Sequence, residues 1–413
     1  MIGAAAGVGA YFLIDSLQGN DDGEPASAPA PTVVVRKQQP QAAQDLGFPA
    51  FATKNTTRVS GADPVADASG VALAVFPSTG GTEEPAAVSL VTDTEWQAGI
   101  AAASLVAPPV SAPILVSGSN GIPSLTTDAL TALDPRGSPD TDGSQIFRIG
   151  QAMTPSGLQT ANVPGSTPAQ IAAGVDRLRQ KLVGAQPKHV LLASSEDAAD
   201  AMPAAAWAAR SGDPVLFVHK DSAPKPTLDA LRQHKSVPVY ALGPPSAISD
   251  KALSEVEKVS AGVKRVGASD PVKNAIAFAR SQDGTFGWNI NDPGHGFVIA
   301  RTSQPLDAAA AAPLSASGNW GPLLVTTDAA QVPAALRGYL LDLKPGYISD
   351  PTRAVYNHIW LIGDQSAIST TFQGQVDELA EVAKVRSGTG NQAASPAPAP
   401  AAPKARQTNP GHR

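Results

Sequence analysis

The chain reads as an α/β protein built from three tandem units, each with its own parallel sheet. Three observations predict this. Apolar runs of four to six residues, rich in Val, Ile and Leu, recur along the sequence, and continuous runs of that kind are strands buried on both faces. Three of these runs are each followed by an Ala-rich helical stretch, then a Pro and another apolar run, which is the pattern of a right-handed βαβ crossover. The whole set returns at intervals near 100 residues, too long for solenoid repeats and suited to small domains in tandem.

The elements follow in order. In the first unit the strand at 88–92 leads to a helix over 97–106 and a strand over 113–116. In the second, 189–193 leads to a helix over 200–209 and a strand over 214–218. In the third, 297–300 leads to a helix over 307–315 and a strand over 322–325. The second and third units then continue alike, with strands over 237–242 and 358–362 followed by one shared string, G-x-x-S-A-I-S, at 243–249 and 363–369. A strand ending in Gly, then Ser ahead of a helix, is a turn with an N-cap, so Ser249 and Ser369 should cap helices reaching Val256 and Val376. Each unit opens on an Arg: Arg58-Val-Ser-Gly-Ala-Asp63, Arg148-Ile-Gly150 and Arg265-Val-Gly-Ala-Ser-Asp270. This places the first repeat, a degenerate one, at 50–146, the second at 147–263 and the third at 264–387.

The ends differ from the body. Residues 1–17 are small and apolar up to Asp15, a signal peptide or membrane anchor. Such a segment needs a basic stretch before it, which puts the natural start upstream of Met1. Residues 18–49 are polar, Pro/Ala-rich and without periodicity, a disordered linker between membrane and body. Residues 388–413 form a Pro/Ala-rich tail that cannot fold alone.

Composition limits the chemistry. There is no Cys in the 413 residues, which removes disulfides, Cys-ligated zinc, iron–sulfur clusters and thiol catalysis. A net charge of -6 supplies no global field for nucleic acid, so none is expected as a partner. The six histidines show no i, i+4 metal spacing, and the sequence holds no G-x-S-x-G, Walker A or G-x-G-x-x-G string. Asp93-Thr-Glu95 occurs in one unit only and makes no repeated metal site. No catalytic residue, no metal and no cofactor is therefore expected, and the protein reads as a non-enzyme. Trp288 and Trp320 could stack on sugar rings or pack inside.

The candidates for binding are Arg58, Arg148 and Arg265, because the guanidinium fork grips phosphate or carboxylate through two donors. The competing reading pairs each with Asp63 or Asp270 across a turn. Asp200 and Asp307 stand ahead of Ala-rich helices and read as N-caps rather than ligand contacts.

These strings in this order resemble the cell wall binding repeat 2 family. Its copies open on Arg-apolar-x-Gly-x-Asp-Arg, carry an Asp-Ala-Leu helix and a Pro-Ile-Leu-Leu strand, and close on Gly-Gly and Ile-Ser. The third copy fits best, with Arg265, Gly267, Asp270, Asp307-Ala308, Pro322-Leu-Leu324, Gly363 and Ile368-Ser369. The second keeps Arg148, Gly150, Asp200-Ala201, Gly243 and Ile248-Ser249. The first keeps Arg58, Gly61, Asp63 and Pro113-Ile-Leu115, with Gln97 at the helix position of Asp. Pro64 and Pro271 stand where the family has its second Arg. The resemblance implies three Toprim-like α/β units around a pseudo-threefold axis, on the outer face of a bacterial envelope. It implies non-covalent binding of an anionic cell-wall polymer or glycan, with a membrane contact through the N-terminal segment. The alternative is a divergent surface scaffold that contacts another envelope protein.

Overall fold

The computed structural model describes residues 49–76, 84–118, 120–316 and 321–385. The expected anchor over 1–17, the C-terminal tail and Trp320 lie outside the described residues, as does nearly all of the linker. Among the described residues no helix is long and apolar enough to cross a membrane.

The chain begins with β1 (Pro49–Ala52) and β2 (Thr56–Val59), then α1 (Pro64–Val75), β3 (Val88–Thr92), α2 (Trp96–Ala102), β4 (Ile114–Ser117), α3 (Ser124–Leu133) and β5 (Ile146–Ile149). It continues through β6 (Thr160–Val163), α4 (Pro168–Val183), β7 (Val190–Ser194), α5 (Ala198–Ala201), α6 (Pro203–Ser211), β8 (Val215–Val218), α7 (Lys225–Gln233), β9 (Val239–Leu242) and α8 (Asp250–Glu257). The last third holds β10 (Val263–Val266), α9 (Pro271–Arg280), β11 (Gly296–Arg301), α10 (Asp307–Ala316), β12 (Leu323–Thr326), α11 (Ala334–Asp342), β13 (Gly346–Tyr347), β14 (His358–Ile362), α12 (Thr370–Ala380) and β15 (Ala383–Lys384).

Three sheets share one strand order: β6-β5-β3-β4, β10-β9-β7-β8 and β2-β14-β11-β12, the last extended by β1. All pairings in them are parallel except β1 on β2. The strands β3, β4, β7, β8, β9, β11 and β12 are buried on both faces, as the apolar runs require, while the opening strands β6 and β10 at the sheet edges are partly exposed. The strand that opens a copy does not join that copy's sheet. It joins the sheet before it, and β2 joins the last. One strand thus stitches each unit to its predecessor and closes the three into a ring.

The register corrects one expectation. Arg148 lies on β5 and pairs with Asn162 of β6, whereas Arg58 pairs with Leu361 and Arg265 with Ala241. Asn162 is therefore the counterpart of Arg58 and Arg265, and Arg148 that of Ala241 and Leu361. The second copy opens at β6, not at Arg148, so residues 147–159 go with the first sheet. An Arg followed by Ile and Gly mimicked the opening, while the true one, Asn162-Val-Pro-Gly, had lost its Arg.

The departures at Pro64 and Pro271 have a local reason. α1, α4 and α9 each start with Pro at N1, where no backbone N–H is needed. The preceding Asp63, Thr167 and Asp270 are N-caps, their side chains accepting from the amides of Ala66, Gln170 and Lys273. Ser249 and Ser369 cap α8 and α12 as expected.

The Ala-rich helices α2, α6 and α10 meet at the centre in one core cluster. Small residues set this distance. A Cβ on Gly99 of α2 would sit 2.7 Å from Ala309 Cβ of α10, closer than two such atoms can lie.

Candidate functional site

The repeat-defining residues converge where each sheet meets the next unit, at the carboxyl ends of the strands. Gly363 and Gly243 end β14 and β9 with φ of 101° and 111°, and Gly150 follows β5 at 62°. These are left-handed conformations that glycine adopts without strain, so the chain can turn toward α8 after Gly243 and toward α12 after Gly363.

Arg58 reaches over the end of β14. Its Nε donates to Gln373 Oε1 (3.0 Å), and Nη1 donates to the carbonyls of Gly363 and Asp364 (2.9 Å each). Nη2 donates to Ser369 O at 3.4 Å. The residue is 0% exposed, and burial lowers its guanidinium to about 10 against the pull of Asp364 and Asp67. A surface contact through Arg58 is thereby corrected: all its donors are turned inward on the protein. It does not pair with Asp63 either. Arg265 repeats the clamp more openly, with Nη1 donating to Gly243 O and Nη2 to Asp250 Oδ1, both at 3.0 Å. Arg148 donates through Nε to Ala152 O at 2.6 Å. The three arginines are not brought together, and only Arg58 and Arg265 occupy equivalent places.

Asp200 and Asp307 are not caps. The cap of α5 is Asp197, which accepts from the Asp200 amide. Asp200 lies inside the helix, 3% exposed, and burial followed by Asp197 raises its carboxyl to about 7. Asp307 opens α10 fully buried, with neither carboxylate oxygen hydrogen-bonded. Burial, and then Asp63, push it up to about 8. Each faces the first helix of the next copy. For Asp307 that neighbour is Asp67 of α1, also fully buried, whose Oδ1 accepts from Gly61 N at 2.8 Å while Oδ2 has no partner. Burial and then Asp307 hold Asp67 well above the ordinary carboxylate range. For Asp200 the neighbour is Asn274, four residues beyond Asp270 as Asp67 is beyond Asp63, and its amide donates to Asp200 O at 3.2 Å. At the first junction Ile171 holds that place, and burial raises the nearby Glu95, whose Oε2 has no partner.

Asp67 escaped the sequence reading, and Glu95 was met there only within Asp93-Thr-Glu95, without its burial. Aligning the copies from their N-caps, Asp63-Pro-Val-Ala-Asp67 against Asp270-Pro-Val-Lys-Asn274, would have revealed the first. Among the described residues no group of three or more His, Asp or Glu is placed to hold a metal ion.

Two of the histidines, His189 and His234, serve as internal pins. His189 Nδ1 lies 2.9 Å from Asp213 Oδ2 and Nε2 lies 3.1 Å from Thr285 Oγ1, fixing the insertion over 281–296. That insertion is part of the core: Phe286 stacks on Tyr240 at 3.6 Å. Trp288 packs edge-on against Trp207 at 5.5 Å, half-buried rather than presented to solvent. His234, fully buried, sits between Asp176 Oδ2 (2.9 Å) and Gln186 Oε1 (2.6 Å).

Residues 166–253 match the family model of cell wall binding domain 2. That span runs from the cap of α4 into α8 and covers most of the second copy. The fold is similar to the structures of two Clostridium difficile proteins. Cwp6 aligns with a TM-score of 0.58 at 18% identity, over 78% of this chain and 48% of its own. Cwp8 aligns with a TM-score of 0.61 at 18% identity, over 79% of this chain and 52% of its own. The chain thus spans about half the length of these two proteins. No curated protein matches the sequence.

Proposed function

We propose that this chain, which carries a cell wall binding domain 2, is a non-catalytic envelope protein that holds an anionic cell-wall polymer non-covalently. The observation that carries the reading is the family match over 166–253, on a copy whose strand order recurs in the two other sheets. Several residues of the types that do chemistry are spent on the fold. The perturbed acids Asp67 and Asp307 are sealed between units and Asp200 nearly so, and His189 and His234 are buried against carboxylates. These groups are closed off from a substrate by their burial.

Co-sedimentation of the full chain with washed cell walls tests this. Binding should be strong to intact walls, fall when their anionic polymers are stripped, and weaken with salt. Equal binding to stripped walls sinks the polymer reading.

One observation favours contact with another envelope protein. The third copy links α11 to β14 by a longer segment than the second uses between α7 and β9. That segment exposes Ile348 (74%), Tyr356 (54%) and Val355 (46%), with Val385 beside it, an apolar patch of the kind that marks interfaces. If this patch governs retention, Ile348→Asp will release the chain from walls whether or not they are stripped.

A further inference from the structure

We infer that the groove between α4 and α7 is the place where an acidic glycan chain is held, a site that rests on the polymer reading above. The groove encloses about 640 Å³, within the range of ligand clefts. Its walls are single stripes of two neighbouring helices. Gln170, Ala173 and Arg177 lie on one, and Asp229, Ala230 and Gln233 on the other. The floor is open because both facing positions are Ala. One end is the turn at Gly165 and Ser166, with Gln151 beside it. A Cβ on Gly165 would lie 2.7 Å from Ile171 Cγ1, so this end stays bare.

The chemistry suits a hydroxyl-rich anion. Gln170 Oε1 accepts from Ser166 N and Oγ at 3.0 Å, which fixes the amide and leaves its NH2 to donate. Arg177 is exposed and has no hydrogen-bond or ion-pair partner among the described residues. Asp229 is already shared by Lys225 and Arg232, so the rim carries a net positive charge on a protein whose net charge is -6. A guanidinium with free donors takes carboxylate or phosphate through two bonds, and side-chain amides pair with sugar hydroxyls.

The other copies close this position. Counted from the N-caps Asp63, Thr167 and Asp270, the counterparts of Arg177 are Leu73 and Arg280. Leu73 is buried in a core cluster. Arg280 donates to Asp342 Oδ2 (2.5 Å) and Asn291 Oδ1 (3.3 Å) and lies 4.6 Å over the Tyr339 ring. Of the three, only Arg177 faces an open groove with its donors unspent. It lies within the matched span 166–253.

The test compares full-length wild type with Arg177→Gln, Gln170→Glu and the remote surface variant Arg337→Gln. Binding is measured to washed walls, to a galacturonate oligomer as carboxylate probe and to a poly(glycerol phosphate) chain as phosphate probe. Gln170→Glu keeps an oxygen for Ser166 and places a negative charge in the groove. Both groove variants should lose about tenfold or more in affinity for the walls and for whichever probe binds. Their melting temperatures should stay at the wild-type value, and Arg337→Gln should bind as wild type does. If wild type binds walls and both groove variants bind equally well, the groove is overturned and the polymer reading survives. If wild type binds neither walls nor probes, both fall.

Discussion

The junction that closes the ring and the junction between the first two copies do the same job with opposite chemistry. At the closing junction a buried Arg58 ties the first strand to Gly363, Asp364, Ser369 and Gln373. Two sealed carboxylates, Asp67 and Asp307, meet beside it. The segment before β2 adds to the seal: Asn55 N donates to Asp377 Oδ1 at 2.8 Å and Lys54 meets Glu381 at 2.9 Å. At the first junction an exposed Asn162 replaces the Arg and Ile171 replaces the acid. Arg179 does the tying from α4, donating to Gly212 O (2.8 Å), Pro108 O (3.0 Å) and Ala107 O (3.2 Å). The difference follows from chain connectivity. Neighbouring copies are held together by the backbone itself, whereas the closing strand must bring residues about 300 positions apart together and bear that loop-closure entropy. Directional polar contacts lie where register must be specified across the ring.

The sharpest way to break this comparison is Arg58→Ala against Asn162→Ala. Removing Arg58 strands four acceptors in a dry site and should cost about 3–5 kcal/mol, while Asn162→Ala, at the same register position, should change stability by about 0.5 kcal/mol or less. Denaturant unfolding of the two variants reads this directly, and equal losses would refute the asymmetry.

The carboxylates give the closing junction a pH dependence. Asp307 titrates at about 8 in the fold against an ordinary value of 3.8, so the folded state holds its proton over a range where the unfolded chain has lost it. The unfolded state then binds fewer protons and stability falls as pH rises. The loss from Asp307 runs from about 4 to about 8, and Asp67, held up beside it, adds a loss of the same sign. The melting temperature should be higher at pH 5 than at pH 9. Asp307→Asn should flatten that slope and add about 1–3 kcal/mol at pH 9, its amide donating to the unpartnered oxygens of Asp67 and Gln304. An unchanged slope would remove the pair from the account.

The same experiment at the second junction should give a smaller and earlier effect. Asp200 titrates at about 7, and Asn274 opposite carries no charge, so Asp200→Asn should flatten the profile only between about pH 4 and pH 7, with its full gain in stability present above that. The smallest effect belongs to the first junction. Glu95 is raised by burial alone, and Glu95→Gln should move stability by about 1 kcal/mol or less at neutral pH.

Much of the architecture was legible in the sequence because burial writes itself into composition. Strands covered on both faces must be continuous apolar runs, and β3, β7, β11 and β14 fell within a residue or two of where those runs lie. The G-x-x-S-A-I-S strings gave the turn and cap correctly, since both depend on neighbours in the chain. The opening of the second copy was misread because a local string, Arg148-Ile-Gly, resembled one whose meaning depends on the strand beside it. Asp200 and Asp307 were misread for the same reason. An Asp before Ala-rich residues looks like a cap, and whether it caps or is sealed is decided by the helix that another copy places against it.

What the sequence determined by itself is thus the number of units, their strand–helix order and the caps Ser249 and Ser369, all properties of residues a few positions apart. The tertiary structure alone decided that each opening strand completes the preceding sheet, that Arg58 is an internal clamp, that acids meet at one junction and not another, and that Arg177 keeps its donors while Arg280 does not. Each of these depends on which surfaces meet after the ring closes, and neither period nor propensity carries that information.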